Sequence, residues 1–235
     1  MSDNATPEKP LRNFYGRLRG KALKPAQKRY LEDLEARAPG PVGWDENPDR
    51  TPLDLAQLFG DRPVWLEVGF GSGEHLVHQA ELNPDVSFIG AEPYINGVAT
   101  LLGKLRKSKA PNVRVHAGDA RDLMEVLPPA SLDKAFLLYP DPWPKARHHR
   151  RRFVTEEHLA PLHAALKPGA EFRIATDIPD YVRQALEEVP KAGFTWLAER
   201  ASDWRTAWPD WISTRYEQKA LREGRTPHYL TFRRD

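Results

Sequence analysis

Three glycines alternate with other residues in Gly69-Phe70-Gly71-Ser72-Gly73, directly after the apolar run Val64-Trp65-Leu66-Glu67-Val68. Such a turn lets the backbone pass close to a ligand where a Cβ would intervene, and between a strand and a helix it suits a nucleotide-like cofactor. The dinucleotide pattern G-x-G-x-x-G needs its third glycine one position later, where Glu74 stands. A pyrophosphate is therefore disfavoured, and Glu67 before the turn adds a negative charge that suits a sulfonium and an amino group better than phosphates. Glu92 closes the second apolar run, where a carboxylate accepts from ribose hydroxyls. Asp119, in Gly118-Asp119-Ala120 after the third, is placed to accept from an exocyclic amine such as that of adenine. Singly, each has a plainer explanation: a glycine turn is often only a turn, and acids at strand ends often cap helices. Their arrival in order, each at a strand end, is what argues for a cofactor.

A second segment is chemically unusual. Tyr139-Pro140-Asp141-Pro142-Trp143-Pro144-Lys145 carries three prolines that forbid a continuing strand or helix, and Ala146-Arg147-His148-His149-Arg150-Arg151-Arg152 follows. The net charge is only +2, yet cations cluster: Lys9 to Arg29 holds eight Lys or Arg and no acid, and Lys145 to Arg152 holds five more. Both stretches suit phosphates, with affinity that falls as salt rises. Tyr15, Trp143 and the tail tryptophans are candidates to stack on an unpaired base, although most tryptophans are core residues and Trp196 and Trp204 are read as such. Cysteine is absent, which removes disulfides, thiolate metal sites and a cysteine nucleophile. His148 and His149 are adjacent in a basic loop, and His75 with His78 has no evident carboxylate partner, so no metal is expected.

The elements that position these residues alternate. Apolar runs at 64–68, 86–90, 113–116, 135–139 and 172–175 read as strands. Helical periodicity between them is carried by Leu76, Val77 and Ala80, by Tyr94 to Leu105, by Leu159, Leu162 and Leu166, and by Tyr181 to Val189. Alternation of this kind gives right-handed βαβ units and an α/β, doubly wound, mostly parallel sheet that binds ligands at the carboxyl ends of its strands. Two further strands at 194–197 and 228–232, joined by a connection holding Trp204, Trp208 and Trp211, bring the sheet to seven. Residues 1–50 read as a basic N-terminal extension, partly disordered without a partner, with a short helix near Tyr30, Leu31 and Leu34; residues 51–235 form the main domain. A signal-peptide run is lacking, and no stretch approaches the roughly 18 apolar residues of a membrane span, so a soluble cytoplasmic protein is expected. Nothing points to an obligate protein partner.

Taken together, Leu66 to Gly73, Pro140 to Lys145, Ala175-Thr176-Asp177 and Thr214-Arg215-Tyr216-Glu217 closely resemble the bacterial tRNA (guanine-N7)-methyltransferases, over about residue 11 to the C-terminus. The resemblance implies a class I, Rossmann-like methyltransferase domain, S-adenosylmethionine as methyl donor, tRNA as partner and the variable-loop guanosine at position 46 as acceptor. Carried over by motif, Glu67, Gly69, Gly71, Gly73, Glu92, Asp119 and Asp141 would hold the donor. Lys145, Asp177 and Thr214, Arg215, Tyr216 and Glu217 would hold the guanosine, and Arg147, His148, His149, Arg150, Arg151 and Arg152 would meet the RNA. Ala146 departs from the family by standing where a second basic residue is expected.

Guanine N7 carries an in-plane lone pair, so its methylation needs neither prior deprotonation nor a covalent enzyme intermediate, only in-line placement. The purine becomes cationic as the bond forms, and Asp141 is the candidate carboxylate to stabilise that charge. Asp177 and Glu217 are candidates to accept from the N1–H and N2–H₂ edge of guanine. Each also has a structural explanation: Asp177 precedes Ile178-Pro179 as an N-cap would, and Thr214-x-x-Glu217 has the form of a capping box. A nicotinamide-dependent oxidoreductase, a non-catalytic RNA-binding protein on the same scaffold and a methyltransferase acting on another acceptor are the competing possibilities.

Overall fold

The computed structural model describes residues 8–108 and 110–235; the first seven residues of the expected extension lie outside it. Alternating strands and helices run β1 (Val64–Val68), α3 (Glu74–Leu82), β2 (Ser87–Ala91), α4 (Ile95–Leu105), β3 (Val113–His116), α5 (Ala120–Met124), β4 (Leu132–Leu138), α6 (Glu156–Ala165), β5 (Leu166–Thr176), α7 (Pro179–Lys191) and β6 (Phe194–Trp196). Ahead of them lie α1 (Pro25–Leu31) and α2 (Leu55–Phe59), and after them α8 (Ser202–Arg205), α9 (Arg215–Arg222) and β7 (His228–Arg234). The seven-stranded sheet has the order β3-β2-β1-β4-β5-β7-β6. β1 to β5 pair in parallel, and β7 runs antiparallel between β5 and β6. No helix among the described residues is long and apolar enough to cross a membrane.

Successive residues of a strand face opposite sides of the sheet, and both sides are covered. Leu66, Ile89, Leu137 and Ile174 pack with Leu123, Leu159, Leu162 and Tyr181 on one side; Phe88 and Val113 pack with Leu76, Val98 and Leu101 on the other. Full burial of a side chain such as Leu66 contributes about 1.5–3 kcal/mol. Strand order reverses between β1 and β4, and a crevice opens at that point, above the strand ends.

One local expectation is corrected. Leu166 begins β5, paired with Leu132, rather than extending the preceding helix. Residues 215–222 form α9, whose buried positions are only Glu217 and Ala220, too few to show a hydrophobic stripe in the sequence. The extension is laid against the domain: α1 packs on α4 with Tyr30, Leu31 and Leu34 against the core. Residues ahead of α1 are tied down by Leu18 O accepting from Ile95 N at 3.0 Å and by Gly20 N donating to Asn96 Oδ1 at 2.8 Å.

Candidate active site

The glycine turn is held open by its own backbone. Gly69, Gly71 and Gly73 all have positive φ (71°, 58° and 72°), the left-handed region that glycine occupies without a Cβ penalty. A Cβ at Gly69 would meet nothing within 4 Å. Gly71 N donates to Glu92 Oε2 at 2.7 Å and Tyr94 N to Glu92 Oε1 at 2.9 Å, so the acid at the end of β2 is clamped beside the turn with lone pairs to spare. Burial holds the Glu92 carboxyl above the usual glutamate range.

Asp119 caps α5. Its Oδ1 accepts from Arg121 N at 2.9 Å, and its Oδ2 accepts from Arg121 Nε and Nη2 at 2.9 and 2.6 Å. Although burial opposes ionisation, the Arg121 contacts keep this carboxyl below its ordinary value. Asp141 contrasts with it. It lies at the open mouth of the crevice with no hydrogen-bond or ion-pair partner among the described residues, and the surrounding walls withdraw enough water to raise its pKa. The loop that carries it is strained at both ends: Tyr139 and Trp143 have φ of 48° and 41°.

These groups line one cleft of about 910 Å³, together with Val68, Pro93, Tyr94, Arg150, His158 and Tyr216. The N-terminal segment forms a further wall through Leu11 to Arg17. Arg12 is bound there by Asp122 (3.3 Å) and Glu125, and Arg121 Nη2 donates to Asn13 O at 3.3 Å. The Arg151 guanidinium stands 4.3 Å from the Tyr15 ring centroid and 5.0 Å from that of Trp143, joining this wall to the proline loop.

Other sequence-predicted residues are placed differently. Glu67 lies beneath the turn, 3% exposed, with Oε2 2.7 Å from His75 Nδ1. That acid is the carboxylate partner of His75, found across the strand-to-helix turn and not by helical spacing. Glu217 is also withdrawn: Trp211 Nε1 donates to its Oε2 at 2.9 Å and Tyr229 to its Oε1, while Thr214 Oγ1 caps its N–H at 3.3 Å. Asp177 is paired with Arg225 at 2.9 Å. Arg215 and Tyr216 do reach the cleft, Tyr216 lying over Gly71.

In the basic run, Lys145, Arg147 and Arg150 are exposed, and His149 lies 3.1 Å from Asp180. The expectation that Arg152 meets RNA is corrected. Its side chain is fully buried, donating to Pro142 O and Gln184 Oε1 at 2.8 Å each and pairing with Asp180 at 2.8 Å, so it is an internal clamp unavailable to a phosphate. No group of three or more His, Cys, Asp or Glu is positioned to hold a metal among the described residues.

A switch-point crevice walled by acids, on a sheet whose last strand inserts antiparallel beside the fifth, defines the class I methyltransferase fold. The solved 16S rRNA methyltransferase KamB shares that fold at 20% identity and a TM-score of 0.57, over 77% of this chain and 93% of that one. Residues 61–230 match the family model described as a putative methyltransferase. The tRNA (guanine-N(7)-)-methyltransferase of Roseobacter denitrificans is 75% identical over 97% of this chain and 98% of its own length. That of Agrobacterium fabrum is 45% identical over 93% and 94%. The chain belongs to the bacterial tRNA (guanine-N7)-methyltransferase family.

Proposed function

We propose that this protein transfers the methyl group of S-adenosylmethionine to N7 of a guanosine in tRNA, the acceptor being position 46 of the variable loop. The observation that carries the reading is the Asp141 carboxyl, unpaired among the described residues, lining the same cleft as Glu92 and the open backbone of Gly69. The donor set fits: Glu92 retains lone pairs for a ribose diol, Asp119 retains one on Oδ1 for an amine, and the glycine turn leaves room for an amino-acid moiety. When bound, the donor supplies an electrophilic methyl on a cationic sulfur.

The chain's own residues then orient and compensate charge. Asp141, with no cation of its own, attracts the positive centre and stabilises the charge that moves onto the purine. The strained proline loop, clamped from behind by Arg152, holds Asp141 in one place, so in-line alignment is set before reaction. Arg147 and Arg150 bind phosphates at the rim, with His148 beside them. Lys145, Asp177 and Thr214 to Glu217 are assigned to the guanosine by motif; for Asp177 and Glu217 to read its edge, their contacts with Arg225, Trp211 and Tyr229 must open.

The test is incubation of the purified protein with tRNA and methyl-labelled donor, followed by cleavage chemistry specific for N7-methylguanosine. A single cleavage at position 46, lost when that guanosine is replaced by adenosine, is the expected result. Label at another atom or position, or none, overturns the reading.

A further inference from the structure

His158, on α6, lines the cleft with Asp119, Ala120 and Arg121, is 7% exposed, and has no role in the chemistry described above. Its ring is fixed. The face stacks on Phe153 at 5.2 Å between centroids, and Nδ1 lies 2.9 Å from Phe153 O. A carbonyl oxygen only accepts, so Nδ1 carries the proton and Nε2 of the neutral ring presents a lone pair. Nε2 takes no hydrogen bond among the described residues. Burial holds the imidazole pKa below its ordinary value, against the opposing hydrogen bond to Phe153 O and the pull of Glu157 and Asp119, which favours the neutral ring.

An exocyclic amine has two N–H bonds to satisfy. Asp119, with three of its acceptor positions taken by Arg121, offers one. We propose that His158 is a further binding residue for the methyl donor, its Nε2 accepting the second N–H of the adenine 6-amino group beside Asp119. The inference rests on the donor assignment above and adds a specificity element to it: a neutral, tautomer-locked acceptor admits an amine and repels a carbonyl oxygen at the same position.

The test compares calorimetric binding of S-adenosylhomocysteine and S-inosylhomocysteine, in which a carbonyl oxygen replaces the amine. His158→Asn keeps an amide N–H for Phe153 O and deletes Nε2; His158→Gln returns an acceptor to that reach. His158→Asn is expected to weaken S-adenosylhomocysteine by about 3–10-fold, as for one lost hydrogen bond, and to tighten S-inosylhomocysteine, whose carbonyl oxygen no longer meets the Nε2 lone pair. His158→Gln recovers part of the loss. A readout that needs no substitution is the ¹⁵N resonance of His158 Nε2 in the wild-type protein, which moves upfield on accepting a hydrogen bond; it is expected to move with the adenosyl ligand and not with the inosyl one. Equal weakening of both ligands, or an unmoved resonance, overturns the role of His158 while leaving the donor assignment intact. Failure of the wild-type protein to bind S-adenosylhomocysteine overturns both.

Discussion

Arg152 Nε donates to Pro142 O at 2.8 Å, so the proline loop is held by the last cation of the basic run that follows it. Arg152→Ala deletes a buried guanidinium and leaves Pro142 O and Gln184 without their donor. It is expected to cost about 2–3 kcal/mol of stability and to lower kcat by freeing Asp141. Arg150→Ala, at the exposed rim, is expected to leave stability unchanged, raise KM for tRNA and reduce the slope of log affinity against log salt by about one. Chemical denaturation with salt-dependent RNA binding separates the two. Equal effects from both substitutions contradict the division.

Gly97 gives a backbone test of the cofactor turn. A Cβ there would overlap the Gly71 carbonyl oxygen, backbone that cannot swing away as a side chain would. Gly97→Ala is expected to displace the Gly71–Glu92 contact and abolish measurable S-adenosylhomocysteine binding, whereas Gly60→Ala, where a Cβ meets nothing, costs only the strain of its positive φ. Calorimetry on both variants checks the contrast.

The raised pKa values of Glu92 and Asp141 set a pH dependence. A carboxyl whose folded value exceeds its unfolded one favours the folded state below the unfolded value, and that contribution is lost as pH rises through the folded value. Ligand binding has the opposite sign, because the ionised forms are wanted. Affinity for S-adenosylmethionine is therefore expected to fall as pH drops from neutrality into the raised range, more steeply than affinity for uncharged-sulfur S-adenosylhomocysteine. Asp141→Asn should bring the two curves together; parallel curves in the unaltered protein count against a charge role for Asp141.

Arg12 anchors the N-terminal wall to Asp122 and Glu125. Arg12→Ala is expected to speed hydrogen exchange of the amides of residues 11–17 and to hasten dissociation of S-adenosylhomocysteine, with exchange in β4 unchanged. Exchange unaltered in that segment would show that the Tyr15–Trp143–Arg151 cluster suffices to hold it.

The parts of the site that were legible in the sequence are those where chemistry and backbone demand coincide locally. The glycine turn announces itself because only glycine tolerates three positive φ values in five residues. Glu92 and Asp119 sit at strand ends that alternation alone locates. Arg152 and Glu217 were not legible, because a charge in a basic run or at a helix start is read as solvent-facing until a distant partner is known. For Arg152 those partners are Asp180 and Gln184, and for Glu217 they are Trp211 and Tyr229. The His75–Glu67 pair and the docking of Leu18 on Ile95 likewise depend on packing between segments that no spacing rule connects.

Among the described residues β6 has a single neighbour in the sheet, and that neighbour is β7, which also completes the free edge of β5. During vectorial synthesis the ribosome delivers β6 well before the segment that flanks it. Until then β5 exposes a row of unmatched amides, a template for pairing with another nascent chain. The nascent protein therefore stays vulnerable to aggregation on this side until its final strand slots in, however early the cofactor half has matured.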